Sequence, residues 1–212
     1  MTTSVSRAAW AFILLMVYMG ATVGLRMYTQ HKRTGSAGFN GLAGKPGSAE
    51  SIGGILFVTA GAAGLAGALL QSMGVIAPIS ALDRFAIAFA GLVLFAAGFA
   101  GTVLAQTWMG DSWRIGVDQS ERTALVTAGP FRHVRNPIFS AMIPASAGLT
   151  LLAPNLVSML GFIALLIALE MHVRMVEEPY LLRVHGEAYA EYAARVGRFV
   201  PLVGRMRPIK NP

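Results

Sequence analysis

Four stretches of this chain carry no charged residue and are long enough to cross a bilayer: 8–25, 51–82, 85–110 and 136–169. A membrane-spanning helix needs about 20 mostly apolar residues to cross a hydrocarbon core of about 30 Å. Within that core every backbone amide must be satisfied inside the protein, which leaves helices or closed barrels. Continuous apolar runs of this length select helices. The expected fold class is therefore an all-α integral membrane protein. Composition agrees, with 55% hydrophobic and only 13% charged residues. The first run lacks a convincing small-residue cleavage site, and further spans follow it, so it reads as a membrane helix and not a signal peptide.

The run 136–169 is too long for one crossing. At roughly 1.5 Å per residue it would reach about 50 Å. Ala153-Pro154-Asn155 is a turn signal in its middle. The expected element is a helical hairpin over about 138–152 and 155–177. Its first arm is short and contains Pro144, so it should be tilted, kinked or shielded by protein. The chain then has about five transmembrane helices: 8–25, 51 to before Pro78, 85–107 and the two hairpin arms. The polar stretch 26–50 reads as a flexible loop. Residues 113–117 and 124–127 read as short β-like pieces. Gly61, Gly64 and Gly67, and the pair Gly20 and Gly24, read as close-packing faces between helices.

Positive charge sets the expected orientation. If 26–50 is cytoplasmic, five spans also place 108–137 and the C-terminus there. Of the 17 Lys and Arg, only Arg7 and Arg84 then lie outside, as the positive-inside rule requires. The same rule accounts for the net charge of +7 and argues against nucleic-acid binding. With no cysteine, disulfides, thiolate metal sites and a cysteine nucleophile are excluded; four dispersed histidines argue against a His-only metal site. No feature sets an oligomeric state. The reading is one membrane domain over 1–212, with three helices in 1–107 and a candidate catalytic region in 108–201.

Charge concentrates in two clusters on that one face. Residues 129–137 read Gly-Pro-Phe-Arg-His-Val-Arg-Asn-Pro. Asn136-Pro137 is a helix-start signal, with Asn capping and Pro in the first turn. Arg132 and Arg135 suit interface anchors. The second cluster, 174–192, carries Arg174, Glu177, Glu178, a His185-Gly186 stop, Tyr189 and Tyr192. Arg174 stands one helical turn from Glu177 and Glu178 and is expected to pair with them. Glu170, His172 and Arg174 continue an apolar span directly, and ionisable groups there usually face a cavity or a polar partner.

The pattern Gly-Pro-Phe-Arg-x-x-Arg-Asn-Pro, a hairpin, then Glu-Glu-x-x-Leu-x-x-x-x-Gly-x-x-Tyr-x-x-Tyr resembles the isoprenylcysteine carboxyl methyltransferase and phospholipid methyltransferase superfamily. The resemblance covers about 108–201. It implies S-adenosylmethionine bound on the cytoplasmic side, between the segment after the third helix, the hairpin ends and the C-terminal helix. Carried over position by position, it implies cofactor contacts from Arg132, His133, Arg135, Asn136, Pro137, Glu177, Glu178, Tyr189 and Tyr192. Asn136 stands where many eukaryotic members have His, which puts an acid–base role there in doubt.

It also implies a lipid or other lipophilic acceptor. Arg174 would orient a carboxylate acceptor, whereas an amine or hydroxyl needs a base, for which Glu178 or His133 is placed. Two other classes stand beside this one. A membrane NADPH-dependent reductase of the sterol or steroid type shares a related hairpin, but the Glu-Glu pair is a poor neighbour for a cofactor phosphate. A scaffold or transporter needs no such site, and no inverted repeat supports transport.

Overall fold

The computed structural model describes residues 2–38, 45, 47–116 and 124–207. Among the described residues seven α-helices follow in order: α1 (Thr2–Met19), α2 (Arg26–Thr34), α3 (Ala49–Ser72), α4 (Phe85–Met109), α5 (Pro137–Leu152), α6 (Leu156–His172) and α7 (Glu178–Arg195). A π-helical turn, Gly20–Leu25, joins α1 to α2; a second, Val173–Glu177, joins α6 to α7. Four continuous helical stretches are long and apolar enough to cross a membrane: Thr3–Thr34, Ala49–Ser72, Phe85–Ser112 and Leu156–Arg195. Large apolar side chains face outward along them. Phe85, Ile55 and Trp10 are 81%, 64% and 61% exposed, a surface suited to lipid and not to water. The protein is an all-helical integral membrane protein.

Small residues let the helices approach. An ideal Cβ on Gly91 of α4 would stand 2.8 Å from the Gly148 carbonyl oxygen of α5. One on Gly161 of α6 would stand 2.9 Å from Ala63 Cβ of α3. Such close seams raise dispersion contact where burial from water supplies no drive. Tyr18, Phe95, Ala145 and Leu149 fill the space between α1, α4 and α5, and the Tyr18 hydroxyl meets Thr102 Oγ1 at 3.2 Å. At the hairpin turn, Asn155 accepts from the Ser158 amide at 2.9 Å and donates to Gly67 O and Gln71 Oε1 at 3.0 and 2.9 Å. This buried amide caps α6 and ties it to α3.

The hairpin is present over Pro137–Leu152 and Leu156–His172, continued to Glu177 by the π turn. With 16 residues, α5 is the shortest of the apolar bundle helices. None of its residues is exposed. The bundle thus covers the backbone that Pro144 leaves without its usual hydrogen bond.

Several local expectations are corrected. The loop starting at residue 26 is helical through Thr34, because helix propensity and packing outweigh a polar composition. Among the described residues 113–116 and 124–127 form no strand; 117–123 lie outside the described residues. Gly64, Gly67 and Gly161 do pack, but Gly20, Gly24 and Gly61 meet no atom within 4 Å. Gly186, by contrast, leaves helical geometry at φ 55° and ψ −125° and divides α7 into two helical segments, as the His185-Gly186 stop signal predicts. Arg174 pairs with Glu170, one turn earlier, and not with Glu177 or Glu178.

Candidate active site

The first cluster begins with a tight turn. Gly129 adopts φ +58° against the Trp108 ring, where a side chain would collide, and Gly129–Arg132 forms a 3₁₀ turn. The chain then runs beside the C-terminal tail. Val134 pairs with Gly197 in a parallel bridge. The Arg135 and Asn136 amides donate to Gly197 O at 2.8 Å and Arg198 O at 3.1 Å. Asn136 precedes α5 with Pro137 in the first turn, but its side chain does not cap the helix. It donates to Arg198 O at 3.2 Å instead.

Side chains complete the junction. Arg135 donates through Nη1 to Ala193 O and Val196 O at 3.0 and 2.5 Å, and through Nη2 to Glu178 Oε1 and Gly204 O at 2.5 and 3.1 Å. Arg198 grips the same carboxylate with both ends of its fork, at 2.8 and 2.9 Å. Hydrogen bonding to Glu178 holds the Arg198 guanidinium above its ordinary range, so it stays charged. Tyr192 donates to Phe131 O at 2.6 Å. A buried Arg–Glu–Arg clamp therefore locks the first cluster, the second cluster and the tail together.

Arg135 joins this clamp to a cavity of about 220 Å³. Its wall includes Arg135, Asn136 and Pro137 from the first cluster, and Glu177, Tyr189 and Tyr192 from the second. The other sequence-derived candidates sit elsewhere. Arg132 and His133 are exposed and outside the wall. Glu178 is buried beside the wall, both oxygens engaged by arginine. Arg174 is exposed and also outside the wall.

The structure adds wall residues outside the two motifs; of these only His172 was marked in the sequence, as an ionisable group at the end of an apolar span. Glu50 from the first turn of α3, His172 at the end of α6, and Trp113, Arg114 and Tyr180 line the same cavity. Glu50 alone reads as an acid at a helix start, and nothing local links it to His172. Both π-helical turns also reach the wall, through Thr22 and Val23 in one and Glu177 in the other. A π turn inserts a residue and re-aims those after it, which recurs at functional sites. The first is pinned by Gln106, whose amide donates to Thr22 O at 2.9 Å. Helix α2 supports the opposite wall. Arg26 donates to Gly110 O and stacks 5.2 Å from the Trp113 ring, Gln30 donates to Asp111 O at 2.7 Å, and Ile115 donates to Gly38 O at 2.7 Å.

The wall is mostly apolar, with Phe57, Phe139, Met142 and Leu169 along it. Two cations, Arg114 and Arg135, and two acids, Glu50 and Glu177, interrupt it. Arg135 Nε is buried without a hydrogen-bond partner in the protein. Among the described residues no group of three or more His, Cys, Asp or Glu is arranged to hold a metal ion. The arrangement can bind a small molecule that has an apolar body and separated positive and negative groups.

An all-helical membrane bundle with one charged, partly apolar cavity defines a membrane protein equipped for a small ligand. Residues 86–188 match the phospholipid methyltransferase family model, a stretch that takes in the first cluster and most of the second and agrees with the resemblance they carry. No curated protein and no solved structure matches the chain.

Proposed function

We propose that the protein binds S-adenosylmethionine in this cavity and methylates a lipophilic acceptor, an isoprenylcysteine carboxylate or another lipid, at the cytoplasmic face of the membrane. The observation that carries this reading is the junction itself: Arg135, Asn136, Glu177, Tyr189 and Tyr192, drawn from both clusters, line one cavity. The concentration of Lys and Arg on the side of these clusters supports the cytoplasmic assignment.

The residues present suit the cofactor. Bound S-adenosylmethionine supplies a methyl group activated by a sulfonium. Arg135, with a buried Nε to offer, and Arg114 suit a carboxylate. Glu177, with Oε1 beside His172, has its other oxygen for an ammonium or ribose hydroxyls, and Phe139, Met142 and Leu181 suit an adenine face. Four backbone and side-chain acceptors hold the Arg135 guanidinium in one orientation. That rigidity favours positioning, which displacement at a methyl group needs more than covalent catalysis. Apolar wall residues exclude water from the same space. Arg174 is exposed, outside the wall and paired with Glu170, so it would orient an acceptor carboxylate only by exchanging that partner.

The test is transfer of radiolabel from methyl-labelled cofactor to organic-extractable lipid, with purified protein in membrane-lipid vesicles. Labelled lipid is expected from the wild type. Glu177→Gln is expected to weaken S-adenosylhomocysteine binding about tenfold, equivalent to about 1.4 kcal/mol. Absence of label from the folded wild type, together with unchanged affinity in Glu177→Gln, would contradict the proposal.

A further inference from the structure

One face of the cavity carries a cluster that neither sequence motif contains in full. Glu50 lies one helical turn before Gly53 on α3, so the two share a face. Gly53 lets α3 approach the end of α6; an ideal Cβ there would stand 3.9 Å from Ala168 O and 4.0 Å from His172 N. The His172 ring packs edge-on against Phe139 at 6.0 Å. Its Nε2 stands 3.6 Å from Glu177 Oε1. Glu50, His172 and Glu177 all line the cavity, beside the apolar residues Phe57 and Leu169. Glu177 from the π turn is the charged group beside His172; Glu50 from α3 lines the same cavity and acts on His172 through space, and α5 sets Phe139 against the ring. On its own helix, Glu170 is paired with Arg174 at the exposed surface. Arg114, Arg135, Tyr180, Tyr189 and Tyr192 are the other titratable wall residues.

Two carboxylates around one imidazole stabilise its protonated form. A carboxylate acceptor gains nothing from such a cluster. An acceptor that sheds a proton as it is methylated, an amine or a hydroxyl, gains a proton acceptor. Resting on the methyltransferase reading above, we infer that Glu50, His172 and Glu177 form an acceptor-side proton relay, with His172 taking the proton and the two carboxylates positioning it. The step balances. The methyl–sulfur bond breaks with its electrons staying on sulfur, and the acceptor lone pair forms the new bond. The acceptor proton passes to the His172 imidazole and then to water. Glu50 lies outside the region matching the family, so this chain's N-terminal half contributes to the acceptor side.

The test uses the full chain in nanodiscs, with His172→Gln, Glu50→Gln and Glu177→Gln. S-adenosylhomocysteine affinity is read by calorimetry, His172 titration by NMR of the imidazole signals absent from His172→Gln, and methyl transfer against pH. The acceptor probes are a short-chain phosphatidylethanolamine, a diacylglycerol and N-acetyl-S-farnesylcysteine, which offer an amine, a hydroxyl and a carboxylate. His172→Gln is expected to retain cofactor affinity but lose about a hundredfold in transfer to the amine or hydroxyl, together with the acid limb of the pH profile. Removing either neighbouring carboxylate is expected to lower the His172 titration midpoint and move that limb to lower pH. An unmoved midpoint in both Glu→Gln variants, a wild-type profile in His172→Gln, or transfer only to the carboxylate probe would overturn the relay. If His172→Gln fails to fold, the midpoints in the two Glu→Gln variants decide. Failure of the wild type to bind S-adenosylhomocysteine would overturn the methyltransferase reading itself.

Discussion

At the scale of single residues, the clamp between Arg135, Glu178 and Arg198 sets the site's geometry. The Arg135 and Glu178 side chains are 1% and 6% exposed, and breaking such a pair leaves a buried charge uncompensated. Glu178→Ala is expected to destabilise the folded protein by about 3–5 kcal/mol, measurable by denaturant unfolding in detergent. Glu178→Ala unfolding at the wild-type midpoint would remove the clamp from this role. The sequence made Arg135, Asn136, Glu177 and the two tyrosines legible because each sits in a spaced motif. It could not separate Glu177 in the wall from the neighbouring Glu178 in the clamp. That distinction depends on which way the π turn aims each side chain. His172 was legible as an ionisable group at the end of an apolar span, but Glu50 was not, because only the seam of α3 against α6 joins the two.

At the scale of elements, charge-free runs located the helices well, and turn chemistry located the hairpin. The π-helical turns left no trace in the apolar pattern, since a continuous apolar run does not register one inserted residue. Helix α2 was hidden by its polar composition, yet it holds the wall at Gly110 and Asp111. Glycine spacing alone also failed to tell packed seams from open faces. The seam of α4 against α5 gives the clearest contrast. A Cβ on Gly98 would fall 2.6 Å from Ala141 O and 2.8 Å from Ala145 Cα. Gly98→Leu is expected to cost about 1–3 kcal/mol through overpacking, whereas Gly24→Ala, facing open space, should stay within about 0.5 kcal/mol. Thermal unfolding of the two variants checks both, and equal effects would contradict the seam.

At the scale of the whole molecule, the proposed topology puts the N-terminus outside and both clusters inside. The chain contains no cysteine, so single introduced thiols report sidedness without background. Lys45→Cys is expected to react with an impermeant maleimide only from the cytoplasmic side, and Ser80→Cys only from the opposite side. The reverse pattern would invert the protein and place the cavity away from a cytosolic cofactor. In the proposed function, the charged cavity gives a polar cofactor and a lipid a common meeting place. The most direct measurement of that claim is calorimetric titration of the detergent-solubilised protein with S-adenosylhomocysteine and, separately, with NADPH. Saturable heat with S-adenosylhomocysteine and none with NADPH is the predicted result. Binding of NADPH alone would contradict it.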